Sequence, residues 1–506
     1  MSRVRKFMGG AGVGLVGQAL NLLVGLWMTP FLLARLGQET YGYWMVALQV
    51  LSYLALLDLG IVALLPREVA RAHGAAAGQL GDSEVPDVVG QSIRVVLWQT
   101  PVVLVAVTVA WLSLPADWGG LVVPLLVAGV AFVVVFPLRL VPAALHGLQD
   151  LAFAGIASQI GWLLNIGVVV VLILQGHGLM AVAVGWAVWQ VVIVGLGILR
   201  LRTKFPELWL RRLPPRDRVR QRTLMKGGAW VSLNVVAQIL MRGTDVLIIE
   251  RFVGASAVVP YSVTAKLVLI FGNLPNTLLI LALPGLAQIR GSADRSHLDR
   301  VSHSLGQGTL VMSGFLAVPI LLANQGFVEW WVGPRLFGGW TMTIILVLTM
   351  VVRHFNFTFS TTVFSLGRER GAALLRLAEG ALVTGLSLAL VRPLGPMAVV
   401  LAMAVGAITI GLPGNLWIVS RELKVPVLRL LGRHSSWGLK FAALSVCLVF
   451  LGQYWQPSTL LGILLAGALA SGGYFALMLT ELWRDPLGGY VRPRFEPLVK
   501  RFFRGS

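Results

Sequence analysis

Fourteen apolar runs, each long enough to cross about 30 Å of hydrocarbon, fill this chain. They lie near residues 10–35, 42–65, 92–114, 120–145, 152–174, 179–199, 226–250, 258–288, 305–324, 338–362, 371–391, 396–420, 436–453 and 459–482. A chain so patterned must use a bilayer as its solvent for most of its length. Its composition, 57% hydrophobic and 12% charged, belongs to a polytopic membrane protein rather than to one with a single anchor.

Charge fixes the orientation. With the N-terminus inside, thirty-three of the forty-one Lys and Arg fall on cytoplasmic segments, and four (Arg35, Arg251, Arg335 and Arg392) on outside loops. The remaining four, Arg139, Arg242, Lys266 and Arg353, lie deeper within the runs than Arg94, Arg376 and Lys440, which are counted with the cytoplasmic ends. This positive-inside bias accounts for a net charge of +20 without a nucleic-acid partner. Trp44, Trp118, Trp330, Trp331 and Trp455 at predicted outer ends fit an interfacial belt. Arg3, Arg5 and Lys6 ahead of an apolar run resemble a signal peptide, but the run continues to about Leu36 without a small-residue cleavage site, so it reads as the first span. A lone cysteine, Cys447, supplies neither a disulfide framework nor a cysteine metal cluster.

Between the sixth and seventh runs, residues 200–226 hold ten Lys or Arg against Glu207 and Asp217. Between spans such a stretch reads as a cytoplasmic loop drawn to anionic headgroups. The halves on either side echo one another. ARLGQETYGYWMVA surrounds Arg35 and Tyr43, and ERFVGASAVVPYSVTAKL surrounds Arg251 and Tyr261, 216 and 218 residues later. Gln18 is matched by Asn234, and Asn21 by Gln238. The expected architecture is all-α and polytopic, with about fourteen transmembrane helices. It comprises an N-lobe of six helices (1–199), a basic cytoplasmic linker (200–225), a C-lobe of six (226–421), two further helices (422–483) and a basic cytoplasmic tail (484–506). Repeats of this kind place a transport site at their interface.

No HExxH, Walker A, CxxC or EF-hand pattern occurs. Gly12, Gly14 and Gly17 match a dinucleotide fingerprint, yet they follow no strand and lie inside the first span, where glycines serve helix packing. Outside loops are short, the longest near residues 325–340, so neither a catalytic site, a metal nor a cofactor is expected. What remains is polar and charged residues in apolar spans. A charge at the bilayer centre costs about 2.5–3.5 kcal/mol on insertion scales, so such residues face a bundle interior or a wet cavity.

Asn234, Gln238, Arg242 and Asp245 are spaced four, four and three, on one helical face. They line a cavity, or Arg242 and Asp245 pair and glue helices. Gln18, Asn21, Gly25 and Arg35 make a weaker stripe in the first span. Lys266 lines the same space or snorkels to an interface. Arg139 sits between Pro137 and Pro142, where a bent helix exposes it to a cavity or a structural partner holds it. Arg353 and His354 open a polar stretch running to Thr362; His354 is either packed or a proton relay. Asp58 is a coupling-ion candidate or a hydrogen-bonded structural acid. Arg376 and Glu379, three apart, are expected to pair. Intramembrane cations outnumber the acids Asp58 and Asp245, which suits a phosphate-bearing or acidic cargo because guanidinium forks match phosphate oxygens.

Residues 31–74, FLLARLGQETYGYWMVALQVLSYLALLDLGIVALLPREVARAHG, resemble the opening of the bacterial polysaccharide-biosynthesis flippases. These are the Wzx-type branch of the multidrug/oligosaccharidyl-lipid/polysaccharide exporter superfamily. The resemblance rests on Arg35-Leu36-Gly37, Tyr41-Gly42-Tyr43-Trp44, Asp58-Leu59-Gly60 and Arg67-Glu68, and later on Asp245, Gly254, Tyr261 and Lys266. It implies two V-arranged six-helix lobes around a central cavity, alternating access, and an undecaprenyl-diphosphate-linked oligosaccharide as cargo in the bacterial inner membrane. On that reading Arg35, Arg139, Arg242, Lys266, Arg353, Asn234 and Gln238 bind substrate, and Asp58, Asp245, Arg67 and His354 are coupling-ion or gate candidates. The implied partners are the lipid-linked glycan, membrane lipids, and a polysaccharide polymerase with its chain-length regulator. The Arg-Asp neighbour pair typical of the peptidoglycan-precursor flippases is missing from the first span. Drug/sodium antiporters of the superfamily usually have twelve helices. The competing readings are an ion-coupled exporter of small amphiphiles and a membrane-embedded glycan-transferring enzyme.

Overall fold

A computed structural model describes residues 3–75, 84–114, 121–208, 213–276, 279, 295–365, 369–490 and 492. Every regular element among them is helical, and the protein is an all-α polytopic membrane protein. It divides into two compact units, Met1–Val236 and Ala237–Ser506.

The first unit contains α1 (Arg3–Leu36), α2 (Gln38–Leu54), α3 (Ile61–Ala75), α4 (Val85–Leu112), α5 (Val122–Val135), α6 (Leu140–Gly147), α7 (Leu151–Leu174), α8 (Leu179–Lys204) and most of α9 (Arg218–Arg242). Three local signals shape it. Gly37 separates α1 from α2 at φ 81, ψ 162, a region open essentially to glycine alone. Beyond α2, the chain tightens into a 3-10 turn, Ala55–Asp58, and reverses at Leu59 and Gly60, both at positive φ. The Asp58 carboxylate accepts the Gly60 N–H at 2.7 Å, the local side-chain bond that makes Asp a turn former. Pro137 bends the span formed by α5 and α6 by 52°, as the loss of a backbone donor predicts. α9 docks here backbone to backbone: a side chain on Gly60 would collide with the Gly228 carbonyl, and one on Gly228 with the Leu59 carbonyl.

The second unit takes the end of α9, then α10 (Asp245–Val253), α11 (Ala255–Thr264), α12 (Lys266–Phe271), α13 (Arg295–Val332), α14 (Trp340–Ser365) and α15 (Glu369–Leu394). There follow α16 (Met397–Gly406), joined by a π-turn at Ala407–Gly411 to α17 (Leu412–Leu423), then α18 (Val427–Gly432), α19 (Ser435–Tyr454) and α20 (Leu460–Leu482). Gly254 separates α10 from α11 at φ 118, ψ 156. It lies 217 residues after Gly37 in a similar backbone conformation, within the offset of the sequence echo. The last two helices belong to this unit. Tyr474 lies over Gly314, receives the Trp437 indole N–H at 2.8 Å and donates to the Leu310 carbonyl. Gln307 donates to the Glu481 carbonyl at 2.7 Å. Covered in this way, 67% of the apolar stretch of α13 is buried inside the protein, against 22% for that of α4.

Among the described residues, eleven helices are long and apolar enough to cross a bilayer, or thirteen when each of two bent pairs counts as one span. The first of the fourteen expected spans lies in α1, a 34-residue helix whose Leu20–Leu36 part is the apolar stretch seen. The second bent pair, α11 with α12, turns by 55° without a proline at the break. Asn324 of α13 donates to the Thr264 carbonyl at 3.1 Å and the Gly338 N–H donates to Thr264 Oγ1 at 2.7 Å. Thr264, Asn324 and Thr343 are fully buried, and the Asn324 amide also donates to Thr343 Oγ1. A side chain inserted at a helical carbonyl is a recognised cause of a kink.

Candidate substrate site

Two of the intramembrane arginines each meet a carboxylate. In the first unit, Arg139 Nη1 lies 3.3 Å from Asp58 Oδ2 and donates to the Ala55 carbonyl at 3.3 Å, while its guanidinium stands 5.8 Å from the Phe136 ring centroid. The pair therefore joins the break after α2 to the bend after α5. Asp58 is buried at 5% exposure and uses its other oxygen on Gly60. In the second unit, Arg353 Nη2 of α14 lies 3.3 Å from Glu379 Oε1 of α15. Its Nη1 points at the Met241 sulfur at 3.8 Å.

Around Arg353 the helices α14, α15 and α17 build a polar recess. Asn415 donates to Asn356 Oδ1 at 2.8 Å and to the Gly411 carbonyl. A side chain on Gly411 would strike Glu379 Oε2 and stand 2.9 Å from the Asn356 amide nitrogen, so glycine there makes room for both. Arg376 donates to Ser360 at 2.8 Å, and Glu379, three residues on, lies 3.3 Å from Arg353. Glu379 and Asn415 were not among the sequence candidates. Their only signal was a polar residue in an otherwise apolar span.

The other candidates fall as follows. Asp245 accepts the Tyr261 hydroxyl at 2.6 Å and the Val246 N–H at 2.9 Å. The side chains of its expected neighbour Arg242 and of Gln18 lie outside the described residues. Lys266, at the start of α12, sits 5.8 Å from the Trp331 ring and has no carboxylate at ion-pair distance among the described residues. Arg35 is exposed, with none either. His354 is 1% exposed and held on both sides: Nδ1 meets Ser313 Oγ at 2.7 Å and Nε2 donates to the Gly272 carbonyl at 2.8 Å. Arg67 is 81% exposed beside Glu68, which holds Arg71 at 3.0 Å. Asn234 donates to the Trp230 carbonyl of its own helix, and Gln238 is exposed.

No protein-family model matches the chain, and no curated protein matches it. Solved structures do. A lipid II flippase, MurJ, in an inward closed conformation superposes with a TM-score of 0.63 at 12% identity, over 94% of this chain and 99% of that one. An inward-facing multidrug resistance MATE transporter gives 0.60 at 15% identity over 80% and 95%. An outward-facing one gives 0.53 at 16% over 84% and 94%. The chain shares the fold of these transporters.

In this chain the end of the basic linker is tied down inside the first unit rather than left to lipid alone. Asp87, Gln91 and Arg94 are spaced four and three along α4, on one face. Gln91 donates to the Pro215 carbonyl at 2.7 Å and Arg94 to the Pro214 carbonyl at 2.7 Å. Arg220 bridges Asp87 at 2.7 Å and Glu84 at 2.6 Å. At the head of α7, Asp150 holds Arg200 and Lys204 at 2.8 and 2.9 Å. Burial would raise that carboxyl, but the two cations outweigh it and hold it below the usual range.

Proposed function

We propose that the protein is a flippase that turns undecaprenyl-diphosphate-linked oligosaccharide repeat units across the bacterial inner membrane by alternating access, for O-antigen, capsule or exopolysaccharide assembly. It moves its cargo without making or breaking a bond. Both termini lie in the cytoplasm, where the positive-inside bias puts them. The single observation that carries the reading is extent. The MATE structures use nearly all of their own length on about four-fifths of this chain, whereas the lipid flippase uses 99% of its length on 94% of it. The additional length favours lipid-linked cargo over small amphiphiles.

Chemistry supports it as well. Lys266 carries a charge that no described carboxylate matches, and Arg353 keeps an unused donor toward the recess of Asn356, Glu379 and Asn415. Guanidinium and ammonium groups of this kind hold a diphosphate while the prenyl tail stays in lipid. A polymerase and its chain-length regulator receive the product.

The test is complementation of a strain lacking its own flippase. The wild-type chain restores surface glycan; Arg242→Ala, Arg353→Ala and the double variant insert normally but export poorly. Normal export by all three variants sinks the cationic-site reading. Ion-coupled drug efflux with unchanged surface glycan would favour a small-amphiphile exporter instead.

A further inference from the structure

We propose that Arg218, Arg222 and Lys226 form a docking row for the phosphodiester headgroups of anionic phospholipids, on the face of α9 turned away from the rest of the first unit. The row needs only a bilayer around α9, so its failure would leave the flippase reading untouched.

Spacing puts the three cations together. They are four residues apart, so successive members are neighbours on the helix surface. The row extends about 12 Å along the axis at 1.5 Å per residue. All three residues are exposed, and no carboxylate among the described residues lies at ion-pair distance from any of them.

The opposite face of the same turns is used for docking. Arg220 bridges Asp87 and Glu84 at the head of α4, and Leu224 is 5% exposed. At 3.6 residues per turn both point about 160–200° away from Arg222, the centre of the row. One turn on, a side chain on Gly227 would press on Leu64 of α3, and one on Gly228 would strike the Leu59 carbonyl. These contacts fix α9 about its axis and leave the row facing outward.

Within the protein the row is a cost. Like charges four apart weaken a helix, and Arg218 and Arg222 stand in the first two turns, where the helix dipole disfavours cations. No acid lies in the first turn. Asp217, just ahead of it, spends Oδ1 on the Val219 and Arg220 N–H groups, and Arg216 turns to Gln221. The compensating anions therefore come from outside the chain.

Depth identifies them. From 227 to 241 α9 carries no charged residue, and Trp230, four residues past Lys226, is 46% exposed, as indoles at a membrane interface are. The row thus sits just beyond the hydrocarbon, where the headgroup layer of one leaflet is about 5–7 Å thick. Lys226 and Arg222 fall within that layer, and Arg218 at its watery edge. The positive-inside reading makes this the cytoplasmic leaflet, the anionic one.

The experiment uses the full chain in nanodiscs as Cys447→Ser/Val219→Cys, with a fluorophore on the new thiol; Val219 is 76% exposed and follows Arg218. Phosphatidylglycerol and phosphatidylcholine, each with a nitroxide at the top of one chain, are compared as quenchers. Each cation near an anionic surface is worth about fivefold, so the quenching constant should favour phosphatidylglycerol by at least about fivefold, and salt near about 1 M should abolish the preference. Adding Arg218→Gln/Arg222→Gln/Lys226→Gln brings the ratio close to one, whereas Arg218→Lys/Arg222→Lys keeps it. Removing as much charge from the second unit, by Arg421→Gln/Lys424→Gln/Arg429→Gln, leaves it unchanged at the label. Equal quenching by the two lipids overturns the row, as does a preference that survives the first triple change or falls equally with the second. If unlabelled undecaprenyl diphosphate, at a small fraction of the phosphatidylglycerol, abolishes the quenching, the row belongs to the cargo headgroup and the lipid assignment is overturned.

Discussion

The two arginine–carboxylate pairs inside the membrane occupy comparable places in the two units and are built differently. Arg139 and Arg353 lie 214 residues apart, close to the offset at which the halves echo one another. In the first unit the carboxylate belongs to a turn. Asp58 bonds Gly60, and Arg139 also takes the Ala55 carbonyl and a phenyl face, so the pair braces two broken helices. In the second unit both partners come from unbroken helices, and the guanidinium has one carboxylate contact, one sulfur contact and an Nη2 without a hydrogen bond. A brace needs satisfied partners, whereas a site that must release its cargo cannot have them. The same residue type at nearly the same repeat position thus has a carbonyl and a carboxylate on its guanidinium in one unit and an unsatisfied Nη2 in the other.

The strongest test of that contrast removes one member of the brace. Asp58→Asn leaves Arg139 without its anion and should lower stability by about 3 kcal/mol, the low end for a broken buried pair, because Arg139 keeps 27% of its side chain exposed. The double Asp58→Asn/Arg139→Gln should recover most of the Tm and retain export. Next in size is Arg353→Ala. A bond from a charged donor is worth about 1.5–3 kcal/mol, so export should fall by about ten- to a hundredfold with membrane insertion unchanged, and Arg353→Lys should recover part of it. The comparison breaks if the neutral pair in the first unit abolishes export while Arg353→Gln/Glu379→Gln exports normally. Smaller still is Gly60→Ala, which forces a side chain into φ 72 at about 1–2 kcal/mol for the left-handed backbone. Gly37→Ala carries its own backbone strain, but no atom lies within 4 Å of the added carbon, whereas that of Gly60→Ala also meets the Gly228 carbonyl, so Gly60→Ala should unfold at the lower temperature.

The spans were legible because a run of about 20 apolar residues has few alternatives to crossing a bilayer, and the bend at Pro137 because proline carries its own reason to bend. The break at Thr264 was not legible, since the side chain that makes it, Asn324, comes from 60 residues away. The contacts that Arg376 and Glu379 make with neighbouring helices were illegible for the same reason. Spacing suggests a pair worth only a few tenths of a kcal/mol and says nothing of the partners across the packing, Ser360 for one and Arg353 for the other. The linker's composition pointed to lipid. Its capture by Gln91 and Arg94 is non-local and left no mark on the linker itself. Local chemistry that a residue imposes on its own backbone can be read from sequence; a choice among buried partners requires the packing.

The smallest predicted effect separates the joint ahead of α19 from the Arg353 recess of the same unit. His434 precedes α19 and is 9% exposed, edge-on to His303 at 5.1 Å and to Phe355 at 5.1 Å. Burial, then His303 and Arg433, pull its ring down to about 3 against the opposing pull of Glu481. The folded ring is therefore neutral where the unfolded chain titrates near 6.5. The resulting stability is complete above pH 6.5 and is lost as pH falls toward 3, at no more than about 1.4 kcal/mol per unit. Lowering the pH from 7.5 to 5.5 should reduce the Tm of wild type more than that of His434→Gln, with equal diphosphate affinity in the two proteins at each pH. Equal losses of Tm would show that the ring is not the acid-sensitive group. A loss of diphosphate affinity that His434→Gln abolishes would show that this joint and the Arg353 recess act as one element, and the separation drawn between them would fail.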